Sequence, residues 1–229
     1  MIGIFGAGVV GSRVAESLSG DPQTAIAVYD SSQIVAQRLA RRLHETNGLI
    51  QATSRTELFR AKVVVLAGSS PHAPVAKELL ERNVSVVSTS DDIADCLNLL
   101  AFSELAVKKN ATLVIGAASS PGMSGLLVRN MSKAFDSIDE VHIALHGTGG
   151  PACARQHHRA LSGQSIGWHD GEWLRRPAGS GRELCWFPEP VGAYDCYRGE
   201  LPDPLLIKRA FPELIRVTAR VSATRRDRV

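Results

Sequence analysis

Three glycines in the run Gly6-Ala7-Gly8-Val9-Val10-Gly11 have the clearest chemical use in this sequence. A G-x-G-x-x-G turn between a buried strand and a helix is built to hold a pyrophosphate. The first glycine makes the tight turn, the second lets the backbone come close to the anion, and the third lets helix and strand pack together. The helix that follows aims its first N–H groups and the positive end of its dipole at the same point. The flanks fit: Ile2, Ile4 and Phe5 precede the turn, and Val14, Ala15 and Leu18 follow it at helical spacing. A second strand over 24–29 ends in Asp30, about twenty residues past the last glycine, where a carboxylate takes the adenosine ribose hydroxyls. The whole turn, Gly6 to Gly11, with Asp30 and Ser31, is therefore the candidate dinucleotide site. A carboxylate at Asp30 repels a 2′-phosphate and favours NAD, while Arg38 on the next helix keeps NADP open. Asp30 alone also reads as a helix N-cap.

The elements that must position this turn follow in order. Gly20-Asp21-Pro22 stops the first helix. Ser31 and Ser32 can cap a helix carrying Val35, Leu39 and Leu43, closed by Asn47-Gly48. A short third strand over 49–52 leads to Ser54-Arg55-Thr56-Glu57, a capping box. The apolar run 63–67 reads as a fourth, parallel strand covered on both faces. In the doubly wound order 3-2-1-4-5-6 it lies beside the first strand, so the loop Gly68-Ser69-Ser70-Pro71-His72 faces the glycine turn. Gly68 and Ser69 are candidate cofactor contacts there. A fifth strand over 84–88 ends in Thr89-Ser90-Asp91-Asp92, first of all caps for a long helix reaching Lys108, with Ser90 a further cofactor candidate. The sixth strand, 112–117, empties into a small-residue loop, 118–125. Ser120, Pro121 and Gly122 in that loop are candidate substrate contacts, because ligands of such sheets bind at the carboxyl ends of the strands.

From Ser137 alternation replaces the strand–helix repeat. Strands are expected at 138–145, at 184–187 and at 214–221, and 166–174 reads as a hairpin turning on Asp170-Gly171. The expected division is a Rossmann domain over 1–136 and a smaller α+β domain, mostly antiparallel, over 137–229, for substrate or dimerisation. The fold class is thus α/β, a doubly wound parallel sheet followed by an α+β domain. Hydride transfer by a nicotinamide needs one group to manage a proton, and histidine titrates near neutrality. His146, His157 and His158 are the candidates, and Arg155 with Arg159 could clamp a substrate carboxylate. A His-His pair beside arginines equally describes a solvated helix face, and a strand-end histidine a hydrogen-bonded core residue. Trp168, Trp173 and Trp186 read as core and hairpin packing, and Asp195 and Glu200 as surface carboxylates.

The totals bound the function. The chain has 229 residues, 44% hydrophobic and 21% charged, with a formal charge of +3. That describes a globular protein. Its scattered cations and sparse aromatics give no nucleic-acid surface. No apolar run approaches the length of a membrane span, and the first strand leaves no room for a leader, so a cytoplasmic protein is expected. Cys96, Cys153, Cys185 and Cys196 show no metal spacing and read as reduced thiols, with no metal expected.

With both halves in view, the chain resembles the saccharopine dehydrogenase-like family. The likeness rests on Gly6–Gly11 with Asp30, on SSPGMSGLL at 119–127, on His146-Gly147-Thr148-Gly149-Gly150-Pro151, on the Asp170-Gly171 hairpin and on Trp186-Phe187-Pro188-Glu189-Pro190-Val191-Gly192. It implies an NAD(P)-dependent oxidoreductase that moves hydride to or from an amino-acid-like imine or secondary amine. The chain departs from the family by stopping at Arg228-Val229, in what reads as the middle of a sheet. That stop keeps a second reading, a non-catalytic NAD(P)-binding regulatory or structural protein. An open sheet edge could be covered by homodimerisation.

Overall fold

The computed structural model describes residues 1–147 and 151–223. The chain forms two compact units, Met1–Ser90 with Ala94–Ala117, and Asp91–Ile93 with Ala118–Val229. The Thr148-Gly149-Gly150 segment and the last six residues lie outside the described residues.

The first unit alternates strand and helix: β1 (Ile2–Phe5), α1 (Val9–Ser19), β2 (Ile26–Tyr29), α2 (Gln33–Leu43), β3 (Ile50–Ala52), α3 (Arg55–Leu58), β4 (Val63–Leu66), α4 (Ala73–Glu81), β5 (Ser85–Ser88), α5 (Ile93–Leu100), α6 (Ser103–Lys108) and β6 (Leu113–Ile115). All the strand pairs are parallel and the order is β3-β2-β1-β4-β5-β6. This is the doubly wound order expected from the sequence. Two apolar clusters sandwich the sheet. One gathers Leu58, Val64, Leu66, Leu79, Leu80 and Leu99, the other Ile4, Ile26, Val28, Ala36 and Leu39. The capping box at Ser54 and Glu57 is present, with both reciprocal hydrogen bonds.

Two local expectations change. The single long helix to Lys108 is broken into α5 and α6, and Phe102 at the break packs against the core. The second helix ends at Leu43, ahead of Asn47-Gly48. Asn47 is instead fully buried. Its Nδ2 donates to the carbonyls of Asp21 (3.1 Å) and Thr24 (2.9 Å), and its Oδ1 accepts from the Leu49 amide (2.8 Å). One side chain thus ties the turn before β2 to the turn before β3.

The second unit contains α7 (Met123–Met131), β7 (Glu140–Leu145), α8 (Pro151–Ala160), β8 (Gln164–His169), β9 (Glu172–Pro177), β10 (Glu183–Phe187), β11 (Gly192–Arg198), α9 (Asp203–Ala210) and β12 (Arg216–Ser222). Its six-stranded sheet runs β10-β11-β12-β8-β9, with β7 beside β12. Pairing is antiparallel except between β7 and β12. The β8–β9 hairpin turns on Asp170 (φ 46°) and Gly171 (φ 92°), the two positive values a tight hairpin turn requires. Val141, Ile207, Phe211, Leu214 and Val217 form its main core. The helix α9 was hidden in sequence by Pro202 and Pro204, which sit where a first helical turn tolerates them. Trp168 packs against the core and donates to the Leu214 carbonyl (3.0 Å), and Trp173, its cross-strand partner in the hairpin, meets its ring edge-on with centroids at 5.2 Å. Trp186 is 79% exposed, outside the packing expected of it. Among the described residues, no helix is long and apolar enough to cross a membrane.

The Asn47→Ala variant removes three side-chain hydrogen bonds to the backbone of the turns before β2 and β3. We expect a loss of about 2–4 kcal/mol of unfolding free energy, read as a lower urea midpoint with an unchanged slope.

Candidate functional site

The glycine turn has the three-part geometry its spacing demands. At Gly6, φ is 104°, and a Cβ would lie 2.6 Å from the Gly68 amide nitrogen. At Gly11 a Cβ would lie 1.8 Å from the Gly6 carbonyl oxygen. Neither position admits a side chain. At Gly8 a Cβ would meet nothing within 4 Å, so the turn presents open space there. No side chain caps α1 and no acidic residue sits in its first turn. The helix itself therefore supplies no side chain or carboxylate to its own N-terminal amides. This cradle fits a dinucleotide pyrophosphate.

Asp30 stands at the end of β2 as expected. Its Oδ2 accepts from the Ala7 amide and its Oδ1 from the Ser32 amide, both at 2.8 Å. The carboxylate thus closes the turn onto β2 and keeps lone pairs for hydroxyl donors. Ser32, not Ser31, is the N-cap of α2, and its own side chain makes no capping bond. Ser31 is exposed.

The loop after β4 lies against the turn through Gly68, while Ser69 is exposed. Below them is a buried polar cluster that the sequence reading left unassigned. Asp95 accepts from the His72 and Ala73 amides, both at 2.8 Å, and so caps α4 from α5. The His72 ring donates from Nε2 to the Gly68 carbonyl (3.1 Å), which leaves Nδ1 to accept from Ser88 Oγ (2.9 Å). Burial pushes the His72 pKa down, consistent with a neutral ring. Ser90, the candidate from the strand-5 loop, is buried and shares a hydrogen bond with Ser70 (2.8 Å). It braces this loop from within.

In the second unit, the loop after β6 is pinned by a residue that the sequence did not reveal. Asp203, 1% exposed, accepts from Ser120 Oγ at Oδ2 and from Ser124 Oγ at Oδ1, each at 2.5 Å. The partners are 83 and 79 residues apart, so no local pattern signals them. Pro121 is buried beneath the loop. Gly122 adopts φ 142°, a conformation essentially restricted to glycine. Of the expected substrate contacts, Ser120 has its hydroxyl turned inward to Asp203, and Gly122 is the more accessible.

The three candidate histidines separate. His146 and His157 converge on one residue, Ser222 of β12. His146 Nδ1 lies 3.0 Å from Ser222 Oγ, and His157 donates from Nε2 to the Ser222 carbonyl at 3.1 Å. Tyr194 and Phe187 flank the His146 ring, with centroids at 4.2 and 5.3 Å. His158 and Arg155 are exposed on α8 and do not join this group. Asp195, expected on the surface, is held by Arg182 (2.9 Å).

No protein-family model and no curated protein sequence matches the chain. Solved structures do match, and the likeness is one of fold. The fold is shared with saccharopine dehydrogenase (L-Glu forming) from Saccharomyces cerevisiae, at TM-score 0.68 and 19% identity, over 96% of this chain and 54% of that one. The chain thus spans about half the length of the yeast enzyme. UDP-N-acetylglucosamine 3-dehydrogenase from Acidithiobacillus ferrooxidans matches at TM-score 0.56 and 14% identity, over 97% and 69% of the two chains. GenD2 from gentamicin A biosynthesis, solved in complex with NAD, matches at 0.50 and 15%, over 96% and 65%.

The Asp203 carboxyl gives a pH prediction with a definite sign. Burial raises its folded pKa above the ordinary carboxylate value. Between that ordinary value and the raised one, the folded state binds more protons than the unfolded state, so this group's contribution to stability falls as pH rises. Asp203→Asn removes that fall. The variant's urea-unfolding free energy, relative to the parent, should therefore climb from pH 4 to pH 7.

Proposed function

We propose that this protein is an NAD-dependent oxidoreductase acting on an amino-acid-like imine or secondary amine, with NADP as the alternative cofactor. The single observation that carries the nucleotide half is the open cradle at Gly8, framed by two positions where a side chain cannot fit. Asp30, fixed by the Ala7 and Ser32 amides, is placed to accept ribose hydroxyls and to disfavour a 2′-phosphate. When bound, the nicotinamide supplies the hydride acceptor or donor. The chain's own residues do the rest. The glycine turn binds the pyrophosphate through backbone amides. His146, whose Nδ1 shares a hydrogen bond with Ser222 Oγ, is the group to manage the proton, and His157 fixes the Ser222 backbone by its bond to the carbonyl. Asp203 holds the shape of the 118–125 loop, the candidate substrate loop. The amino-acid-like substrate is supported by the fold shared with saccharopine dehydrogenase and by the sequence motifs that resemble that family.

The glycines separate binding from folding. Gly8→Ala adds a methyl group in open space at a φ of −70°, which alanine adopts readily, so the variant should melt at or slightly above the parent temperature. The same methyl occupies the pyrophosphate's approach, so NAD affinity should drop at least about tenfold, the factor that 1.4 kcal/mol corresponds to. NAD at about 1 mM should raise the parent melting temperature and leave Gly8→Ala unmoved. No stabilisation of the parent by either NAD or NADP would refute the nucleotide reading. Absence of NADH oxidation with a panel of amino acids paired with keto acids or aldehydes would refute the enzyme reading alone.

A further inference from the structure

We propose that the second unit carries a binding site for the phosphate group of a small molecule, formed by Arg176, Arg198 and Arg220 on the face of its sheet that bears no core. Arg198 of β11 and Arg220 of β12 stand directly opposite each other in the antiparallel register. Like charges at opposed positions destabilise such a pair. Arg176 of β9 joins them in lining a concavity of about 350 Å³.

The described surroundings neutralise these charges only in part. Among the described residues, Glu183 is the one carboxylate lining the concavity, and it is bound to Arg220. Arg216, on the same face, already has Glu140 at 3.6 Å. Among the described residues, neither Arg176 nor Arg198 has an ion-pair partner. Burial, then Arg220, then Arg176 push the Arg198 pKa below the ordinary guanidinium value, against a smaller opposing effect of Glu183.

The guanidiniums are nevertheless held in place. Arg198 donates from Nη1 to Ser180 Oγ (3.2 Å), and Arg220 donates from Nη1 to the Gly181 carbonyl (2.5 Å). At Gly181, a Cβ would lie 2.0 Å from Arg198 Nη1, so the loop makes room for the guanidinium where any side chain would displace it. Positioned cations with mutual repulsion and one engaged carboxylate call for an anion. The excess is two positive charges, which a phosphate monoester with nearly two negative charges balances and a single carboxylate does not. The forked donors of arginine match phosphate oxygens. The concavity has the volume of a small-molecule site, and its three cations line that single hollow instead of tracking a polymer backbone.

The test is thermal unfolding of the full chain without nucleotide, at fixed pH and matched ionic strength, with inorganic phosphate, glycerol 3-phosphate, glutarate or sodium chloride. Inorganic phosphate should raise the melting temperature by a few degrees over chloride and over glutarate. A stronger response to glycerol 3-phosphate identifies the ligand as an ester, and an equal one identifies the free ion. Arg198→Gln and the surface variant Arg176→Gln should each weaken the phosphate response at least tenfold in concentration. Without anion, Arg198→Gln should melt no lower than the parent, because it relieves repulsion. Gly8→Ala should keep the full phosphate response. The proposal fails if phosphate does no better than chloride or glutarate, if both arginine variants respond like the parent, or if Gly8→Ala alone abolishes the effect.

Discussion

The first unit depends on one close approach: the backbone of Gly11 packed on the carbonyl of Gly6, with Gly68 pressed against Gly6 from the neighbouring strand. A helix can start this close to the end of its strand only if no Cβ intervenes. That constraint brings α1 down onto β1, sets its amide ends beside the open space at Gly8, and lets the loop after β4 run alongside. Asp30 then closes the arrangement by accepting the Ala7 amide from inside the turn. Gly6 and Gly11 thus belong to the central packing of the sheet, while Gly8 borders open space and takes no part in it.

The second unit is organised differently, around β12. This strand pairs with β7 on one edge and with β8 and β11 on the other. Its alternate residues divide the work. Val217, Ala219 and Val221 are buried in the core, while Arg216, Thr218, Arg220 and Ser222 face the opposite side. Ser222 collects His146 and His157 there, and Arg220 confronts Arg198. Polar and charged groups concentrated on one face, in unfavourable local pairings, mark positions where sequence consistency has been given up for something other than stability.

Buried carboxylates hold the loops of both units. Asp95 caps α4 and steadies the loop after β4, and Asp203 takes two serine hydroxyls from the loop after β6. In each case one side chain satisfies two donors that would otherwise lie buried without partners, so the loops keep defined shapes although they carry little apolar surface.

The sequence by itself determined what depends on local chemistry. The glycine spacing, the β-branched run of β4, the capping box at Ser54 and the Asp170-Gly171 hairpin are patterns whose physical cause lies within a few residues, and each could be read directly. The doubly wound order followed from these, because few topologies accommodate them. Tertiary structure alone decided the rest. Asp203 meets Ser120 and Ser124 from about eighty residues away, so no spacing rule reaches it. His146 and His157 share Ser222 because β7 and β12 pair in parallel, whereas the adjacent His158 points to solvent from the same helix. The facing of Arg198 and Arg220 is a matter of strand register, which the chain settles only when its core side is buried.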